Sequence, residues 1–156
     1  MPIQKLKAFL DGSGIKYVSI QHSAAYTAQE VAALAHIPGA EMAKTVMVKI
    51  DGKMAMAVVP ASHQIEFDRL REAAGAKTAE LANEDEFKDL FPSCDVGAMP
   101  PFGNLYDMDV YCSTALSEDV EIAFNAGSHS ELIRLAFADY EQLVQPEVAR
   151  FSRRVP

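Results

Sequence analysis

The stretch Lys44-Thr45-Val46-Met47-Val48-Lys49-Ile50-Asp51-Gly52-Lys53-Met54-Ala55-Met56-Ala57-Val58-Val59-Pro60 decides the fold. Val46, Val48 and Ile50 alternate with Thr45, Met47 and Lys49, so the two sets face opposite ways along a strand. Asp51-Gly52 is the two-residue signal of a tight hairpin turn. Met54 to Val59 then returns as the partner strand, and Pro60 ends it.

Working outward, the flanking segments supply helices and further strands. Upstream, Ile3, Leu6, Phe9 and Leu10 recur at helical spacing, and Gly12 and Gly14 are expected to stop that helix. Tyr17 to Gln21 alternates as a short strand. Thr27-Ala28-Gln29-Glu30 has the capping-box form, a hydroxyl followed three residues later by a carboxylate. It opens a helix through Val31, Leu34 and Ala35 that Pro38-Gly39 closes. Downstream, helices are expected over 66–74 and 84–90, the second capped by Asn83 with Glu86 in the reciprocal position. A Gly/Pro-rich loop spans Gly97 to Gly103. Strands are expected over 110–114 and 120–124, with a turn at Ser117-Glu118-Asp119. Alternation over 131–137 gives another strand, and Asp139 is expected to cap a short helix to Val144. Pro146 begins a tail, residues 146–156, that carries Arg150, Arg153 and Arg154. Helices mixed with hairpins, rather than strict βαβα alternation, point to an α+β fold: a mixed, largely antiparallel sheet with flanking helices.

Composition sets the class. The 156 residues are 49% hydrophobic and 23% charged, which suits one domain (1–156) with a core that needs no disulfide or structural metal. The two cysteines, Cys94 and Cys112, make no disulfide framework. Residues 1–10 do not read as a secretory signal, and no apolar run approaches the roughly 20 residues of a membrane helix. The expectation is a cytoplasmic protein with no membrane partner. Net charge is −8, unevenly spread: residues 1–60 carry six lysines against four acids, and the remainder eight basic residues against eighteen acids. Extended duplex binding is disfavoured; either the mildly basic N-terminal third meets the end of an RNA, or, as charge alone favours, this is an acidic protein with no polyanionic partner.

Familiar chemistry is absent. There is no Gly-x-Gly-x-x-Gly, P-loop or His-Glu-x-x-His segment, and no Gly-x-Ser-x-Gly elbow. His22, His36, His63 and His129 lack metal-ligand spacing, so neither metal nor cofactor is expected. Four weaker candidates remain. Lys44, at a strand start, either directs its ammonium into a pocket or is a solvated surface lysine. The Gly97–Gly103 loop, stiffened by Pro100-Pro101, either presents backbone N–H groups to an oxyanion or merely connects helix and strand. His129, in Gly127-Ser128-His129-Ser130, either holds a water or is a solvated turn residue. Cys94 is either a nucleophile, with His129 as its base, or a buried structural thiol.

These elements occur in an order that resembles the YbaK family and the editing insertion of bacterial prolyl-tRNA synthetases. The matching residues are His22, Thr27 and Glu30-Val31-Ala32, then Ala43-Lys44-Thr45-Val46, the Asp51-Gly52 hairpin and Val58-Val59-Pro60-Ala61. Gly97-Ala98-Met99-Pro100-Pro101 fits the family's Gly-x-x-x-Pro pattern, with Phe102-Gly103 behind it. Ile122-Ala123-Phe124 and Gly127-Ser128-His129 complete the match, which covers roughly residues 15–145. The resemblance implies a partly barrel-like sheet and a trans-acting enzyme that hydrolyses the ester between an incorrect amino acid and the 3′ end of tRNA. Carried over, Lys44 and Gly97 are the expected catalytic positions. His22, Thr45, Ala98, Met99, Pro101, Phe102, Gly127, Ser128 and His129 are expected to hold substrate. The terminal ribose 2′-hydroxyl is expected to help activate water. Alanine on proline tRNA is the target by analogy, with cysteine, serine and threonine esters open. Prolyl-tRNA synthetase is a possible partner. A non-catalytic RNA-end-binding module and a small-molecule or protein interaction domain are the competing readings.

Overall fold

A computed structural model describes residues 4–22 and 37–155. In chain order its elements are α1 (Gln4–Ser13), β1 (Tyr17–Gln21), β2 (Met42–Ile50), β3 (Lys53–Pro60), β4 (His63–Ile65), α2 (Phe67–Ala74), β5 (Ala79–Leu81) and α3 (Glu84–Phe87). They continue with β6 (Val110–Ser113), α4 (Thr114–Ser117), β7 (Glu121–Ser128), β8 (Glu131–Ala136), α5 (Phe137–Val144), β9 (Glu147–Ala149) and β10 (Ser152–Arg154). The capping box at Thr27 and the helix expected after it lie outside the described residues.

The hairpin forms as its sequence dictates. Lys44 pairs with Val59 and Ile50 with Lys53, and the turn residues Asp51 and Gly52 take φ of 51° and 80°. The Asp51 carboxylate accepts from the N–H groups of Lys77 and Thr78, both at 2.9 Å, which ties the turn to the approach of β5. The main sheet runs β1-β8-β7-β2-β3-β6-β9, with β5 also on β2, and curls into a half-barrel. The pairs β1/β8, β7/β8, β2/β3 and β2/β5 are antiparallel, whereas β2/β7, β3/β6 and β6/β9 are parallel. The expected α+β class, a mixed and largely antiparallel sheet with flanking helices, is borne out.

Both faces of the hairpin are buried. Ala43, Met47, Met56 and Val58 join the main core with Leu6 and Leu10 of α1 and Phe137 and Tyr140 of α5. On the opposite face, Val48, Ala55, Ala57 and Val59 pack with Leu70 of α2 and Phe151, and Met42 packs with Ala123 and Leu132. One detail positions the site. β7 pairs with β2 only at Met42 and Ala43, and β5 pairs with it only from Val48 to Ile50. Between them, the β2 edge beginning at Lys44 has no strand beside it among the described residues.

Several expectations are corrected. α1 runs through Gly12 and ends at Ser13, and Gly14, with φ of 70°, turns the chain. The short strands β4 and β5 carry too little alternation to be read. The strand expected to reach Thr114 stops at Ser113, whose hydroxyl accepts from the Ala115 N–H at 3.2 Å and starts α4. Asp139 lies in the first turn of α5, whose cap is Ala136. The tail after Pro146 is built into the fold: β9 lies parallel to β6, β10 lies antiparallel to β4, and Phe151 between them is fully buried. Asn83 and Glu86 do form the expected reciprocal cap. Among the described residues, no helix is long and apolar enough to cross a membrane.

Candidate active site

Lys44 stands where β2 and β7 part. Strand alternation puts it on the face of Met42, opposite the main core. Since Met42 pairs with Ala123 in parallel register, the next residue of β7 on that face is Asn125. His22 follows β1 in phase with Ile20, which packs against the Met42 cluster, and its N–H donates to Ser130 O at 2.9 Å. Lys44 is half-buried, and burial pushes its pKa below the ordinary lysine value. Its ammonium is thus less hydrated than a surface lysine's and interacts more strongly with an incoming anion or polarised carbonyl. Among the described residues no carboxylate forms an ion pair with it.

The Gly97 loop takes the edge of β7 just beyond the part that β2 covers. Asp95 N–H donates to Gly127 O at 2.8 Å, and Gly127 N–H donates to Ala98 O at 2.9 Å. His129 clamps the same loop: its N–H donates to the Asp95 carboxylate at 3.2 Å, and its ring Nε2 lies 2.8 Å from Val96 O. A carbonyl can only accept, so Nε2 carries the proton. Gly97 itself is exposed at φ 87°, a backbone region that side-chain-bearing residues avoid. A Cβ there would lie 3.5 Å from His129 Cε1. The Gly97 N–H points at Met99 Sδ, 3.3 Å away. A thioether is a weak acceptor, so a carbonyl oxygen or an oxyanion readily replaces it.

The structure therefore gathers Gly97, Ala98, Gly127 and His129 by direct contact and sets Lys44 on the neighbouring strand. Ser128 shapes the turn, its hydroxyl 3.4 Å from both the Ser130 N–H and hydroxyl. Other expected substrate contacts are core or scaffold. Thr45 faces the main-core side with Ala43 and Met47, away from Lys44. Ala98 and Phe102 are fully buried and Met99 nearly so. The Phe102 ring packs among Phe9, Phe124 and Tyr140, with centroids 5.4–6.1 Å apart. Pro101 is buried too, and its carbonyl accepts from Tyr140 OH at 2.8 Å. These residues hold the loop from beneath. The cysteine-nucleophile reading fails on geometry: Cys94 Sγ lies 3.8 Å from Tyr106 OH, burial raises its pKa, and the His129 Nε2 proton is directed to Val96.

Two residues were missed by sequence. Asn125 is 8% exposed, and its Oδ1 has no hydrogen-bond partner among the described residues, on the face that carries Lys44. The signal was there, since a carboxamide interrupts the apolar run 122–126. His63 is the second. Its ring Nδ1 lies 2.9 Å from Ser152 Oγ, and its pKa is lowered by burial and then by the charges of Lys44 and Arg154. No His, Cys, Asp and Glu cluster suited to a metal occurs among the described residues.

Comparison with known proteins places the chain in a family. The aminoacyl-tRNA editing domain family matches residues 22–143. The chain belongs to that family. Among curated relatives of this editing domain, the multifunctional Ser/Thr-tRNA deacylase ProXp-y of Escherichia coli (strain K12) is 30% identical over 155 residues. That alignment covers 96% of this chain and 92% of the relative. The proline–tRNA ligase of Bacillus mycoides (strain KBAB4) is 28% identical over 92 residues, 59% of this chain but 16% of the ligase. The editing-domain fold recurs in the crystal structure of a hypothetical protein, with a TM-score of 0.86 at 20% identity, covering 96% of this chain and 100% of the other. It recurs again in a proposed trans-editing enzyme for prolyl-tRNA synthetase, with a TM-score of 0.80 at 18% identity and 96% coverage of each chain.

Proposed function

We propose that this editing domain acts in trans to hydrolyse the ester of mischarged aminoacyl-tRNA, with Lys44 and the Gly97 loop on either side of the reacting carbonyl. The observation that carries the reading is the divergence of β2 and β7, which leaves the half-buried Lys44 beside a strand edge capped by the Gly97 loop. In this reading water adds to the ester carbonyl carbon, and the negative charge that develops on its oxygen is met by the Gly97 N–H. The carbon–oxygen bond to the ribose then breaks, the ribose 3′ oxygen takes a proton, and the free amino acid leaves. Lys44 holds the carbonyl or the terminal phosphate. The water is activated by the 2′-hydroxyl of the terminal ribose, which suits a site whose nearby histidine directs its Nε2 proton into a scaffold bond. An ester needs modest activation, and orientation plus a preorganised donor suffices.

A small amino acid is the proposed target. Alanine on proline tRNA remains the reading from the synthetase resemblance. Serine and threonine are supported by the name of the 30%-identical relative. Association with prolyl-tRNA synthetase is likewise proposed from the ligase similarity. The test is release of amino acid from alanyl-, seryl-, threonyl- and cysteinyl-tRNA, each prepared also on tRNA ending in 2′-deoxyadenosine. Release from at least one, lost on the deoxy form, is expected. Binding without release across the panel would overturn the deacylase reading, and full activity on the deoxy form would overturn the hydroxyl's role.

A further inference from the structure

Beyond Lys44, the face continues into a cleft of about 500 Å³ lined by His63, Ser152, Arg150, Arg153 and Arg154. The fold assembles it from distant parts of the chain. Ala61 N–H donates to Met42 O at 2.7 Å, which brings the β3–β4 turn beside the start of β2. β10 then pairs with β4, setting Arg154 opposite His63 and Arg153 opposite Gln64. The hydroxyls of Ser152 and Ser113, 2.7 Å apart, anchor the floor.

Three guanidiniums converge on this one cleft. Lys49, Lys53, Arg69, Lys88 and Arg134 each meet a carboxylate. Arg150, Arg153 and Arg154 are exposed, and among the described residues none of them forms an ion pair. The acids at the cleft are Glu66, 3.6 Å from Arg69, and Glu118. Gln64 accepts from Arg153 Nε at 3.1 Å, but a chain of net charge −8 that gathers three guanidiniums with no carboxylate partner among the described residues along one cleft can receive an anion there. Burial, and then the charges of Lys44 and Arg154, lower the His63 pKa, so His63 lies within reach of both Lys44 and the cleft.

We propose that Arg150, Arg153 and Arg154 bind the sugar-phosphate backbone of the tRNA acceptor strand, leading its 3′ end to Lys44. The inference rests on the deacylase reading for its ligand, but its test stands apart from catalysis. The sequence had placed the RNA-facing charge in the N-terminal third. The fold moves it to the C-terminal strands.

The experiment measures binding of uncharged tRNA by fluorescence anisotropy from 50 to 300 mM salt. It compares wild type, the triple variant Arg150→Gln/Arg153→Gln/Arg154→Gln, and a control, Lys77→Gln/Lys88→Gln, that removes charge elsewhere. Each phosphate contact contributes roughly 0.7–0.9 to the slope of log affinity against log salt. The triple variant should therefore show a slope shallower by about 2 and an affinity at least roughly tenfold weaker at low salt. Hydrolysis of an aminoacyl-adenosine, which has no phosphate, should be unchanged. Wild-type affinity and slope in the triple variant, or an equal loss in the control, would overturn the proposal. If the triple variant unfolds early, Arg150→Gln alone, at an exposed position between strands, serves the same comparison with a slope change of about 0.8. RNA binding through the arginines with no ester hydrolysis by wild type would sink the deacylase reading and leave this one standing.

Discussion

Replacing Gly97 by alanine separates the loop's conformation from its contacts. Gly97 has φ of 87°, and the added Cβ would lie 3.5 Å from His129 Cε1, an ordinary van der Waals distance. The variant therefore meets no steric block, and its penalty is the backbone conformation itself, about 1–2 kcal/mol for a side-chain-bearing residue. For a chain of this size each kcal/mol lowers the melting temperature by about 2–4 °C, so a fall of roughly 2–8 °C is expected. The chain can relieve the strain only by turning Gly97 toward negative φ. That swings its N–H away from the reacting carbonyl and pulls Val96 O from His129 Nε2. Loss of one oxyanion donor costs about 10²–10³ in kcat. Thermal melting and single-turnover deacylation, run side by side, read both quantities. Wild-type kcat in a variant that has lost the Val96 O–His129 Nε2 bond would refute the loop's role in catalysis. An unchanged melting temperature would refute the strained backbone.

Three further outcomes follow from particular contacts. Tyr140→Phe removes the buried hydroxyl that donates to Pro101 O, leaving that carbonyl unpaired. It should cost about 1–3 kcal/mol, read by urea denaturation, and wild-type stability would count against the loop anchor. Asn125→Ala removes a carboxamide whose oxygen makes no hydrogen bond among the described residues. Stability should change by less than about 1 kcal/mol while kcat/KM falls about tenfold or more, and unchanged kinetics would remove Asn125 from the site. Asp119 has its pKa raised to about 6 by burial and then by Glu41 and Glu118. A carboxyl raised in the folded state stabilises below the ordinary value of 3.8 and loses that contribution as pH climbs through about 6. Asp119→Asn should thus stabilise at pH 7.5, by no more than about 1 kcal/mol after solvent screening, with the gain gone by pH 4. A pH-independent effect would contradict the shift.

The parts of the fold legible in sequence were those with strong local signals. The β2–β3 hairpin was marked by Asp51-Gly52 and alternation, and the start of α3 by Asn83 and Glu86. What stayed hidden depends on long-range pairing. β4, β5, β9 and β10 are three-residue strands that exist because a distant partner is already in place. The segment from Pro146 was read only as a tail for that reason, although Phe151 is fully buried in the core. The site divides in the same way. Lys44 and Gly97 were recognised through a resemblance, since their local chemistry is ordinary. Met99, Pro101 and Phe102 were credited with substrate contacts because they share the loop's motif, yet their side chains point into the core and explain the loop's rigidity. Asn125 and His63 went unseen because only the face shared by β2 and β7, and the fold-back of β4 against β10, give them a role.

The central claim is that the half-buried Lys44 ammonium acts on the ester. Its most direct test is deacylation of whichever mischarged tRNA the wild type hydrolyses best, measured for Lys44→Met. Methionine keeps the apolar stem and removes the half-buried charge, so the melting temperature should hold or rise. The account predicts that the stable variant loses at least about a hundredfold in kcat/KM, on the order of 2.7 kcal/mol of transition-state stabilisation. A well-folded Lys44→Met protein that deacylates at the wild-type rate would contradict it.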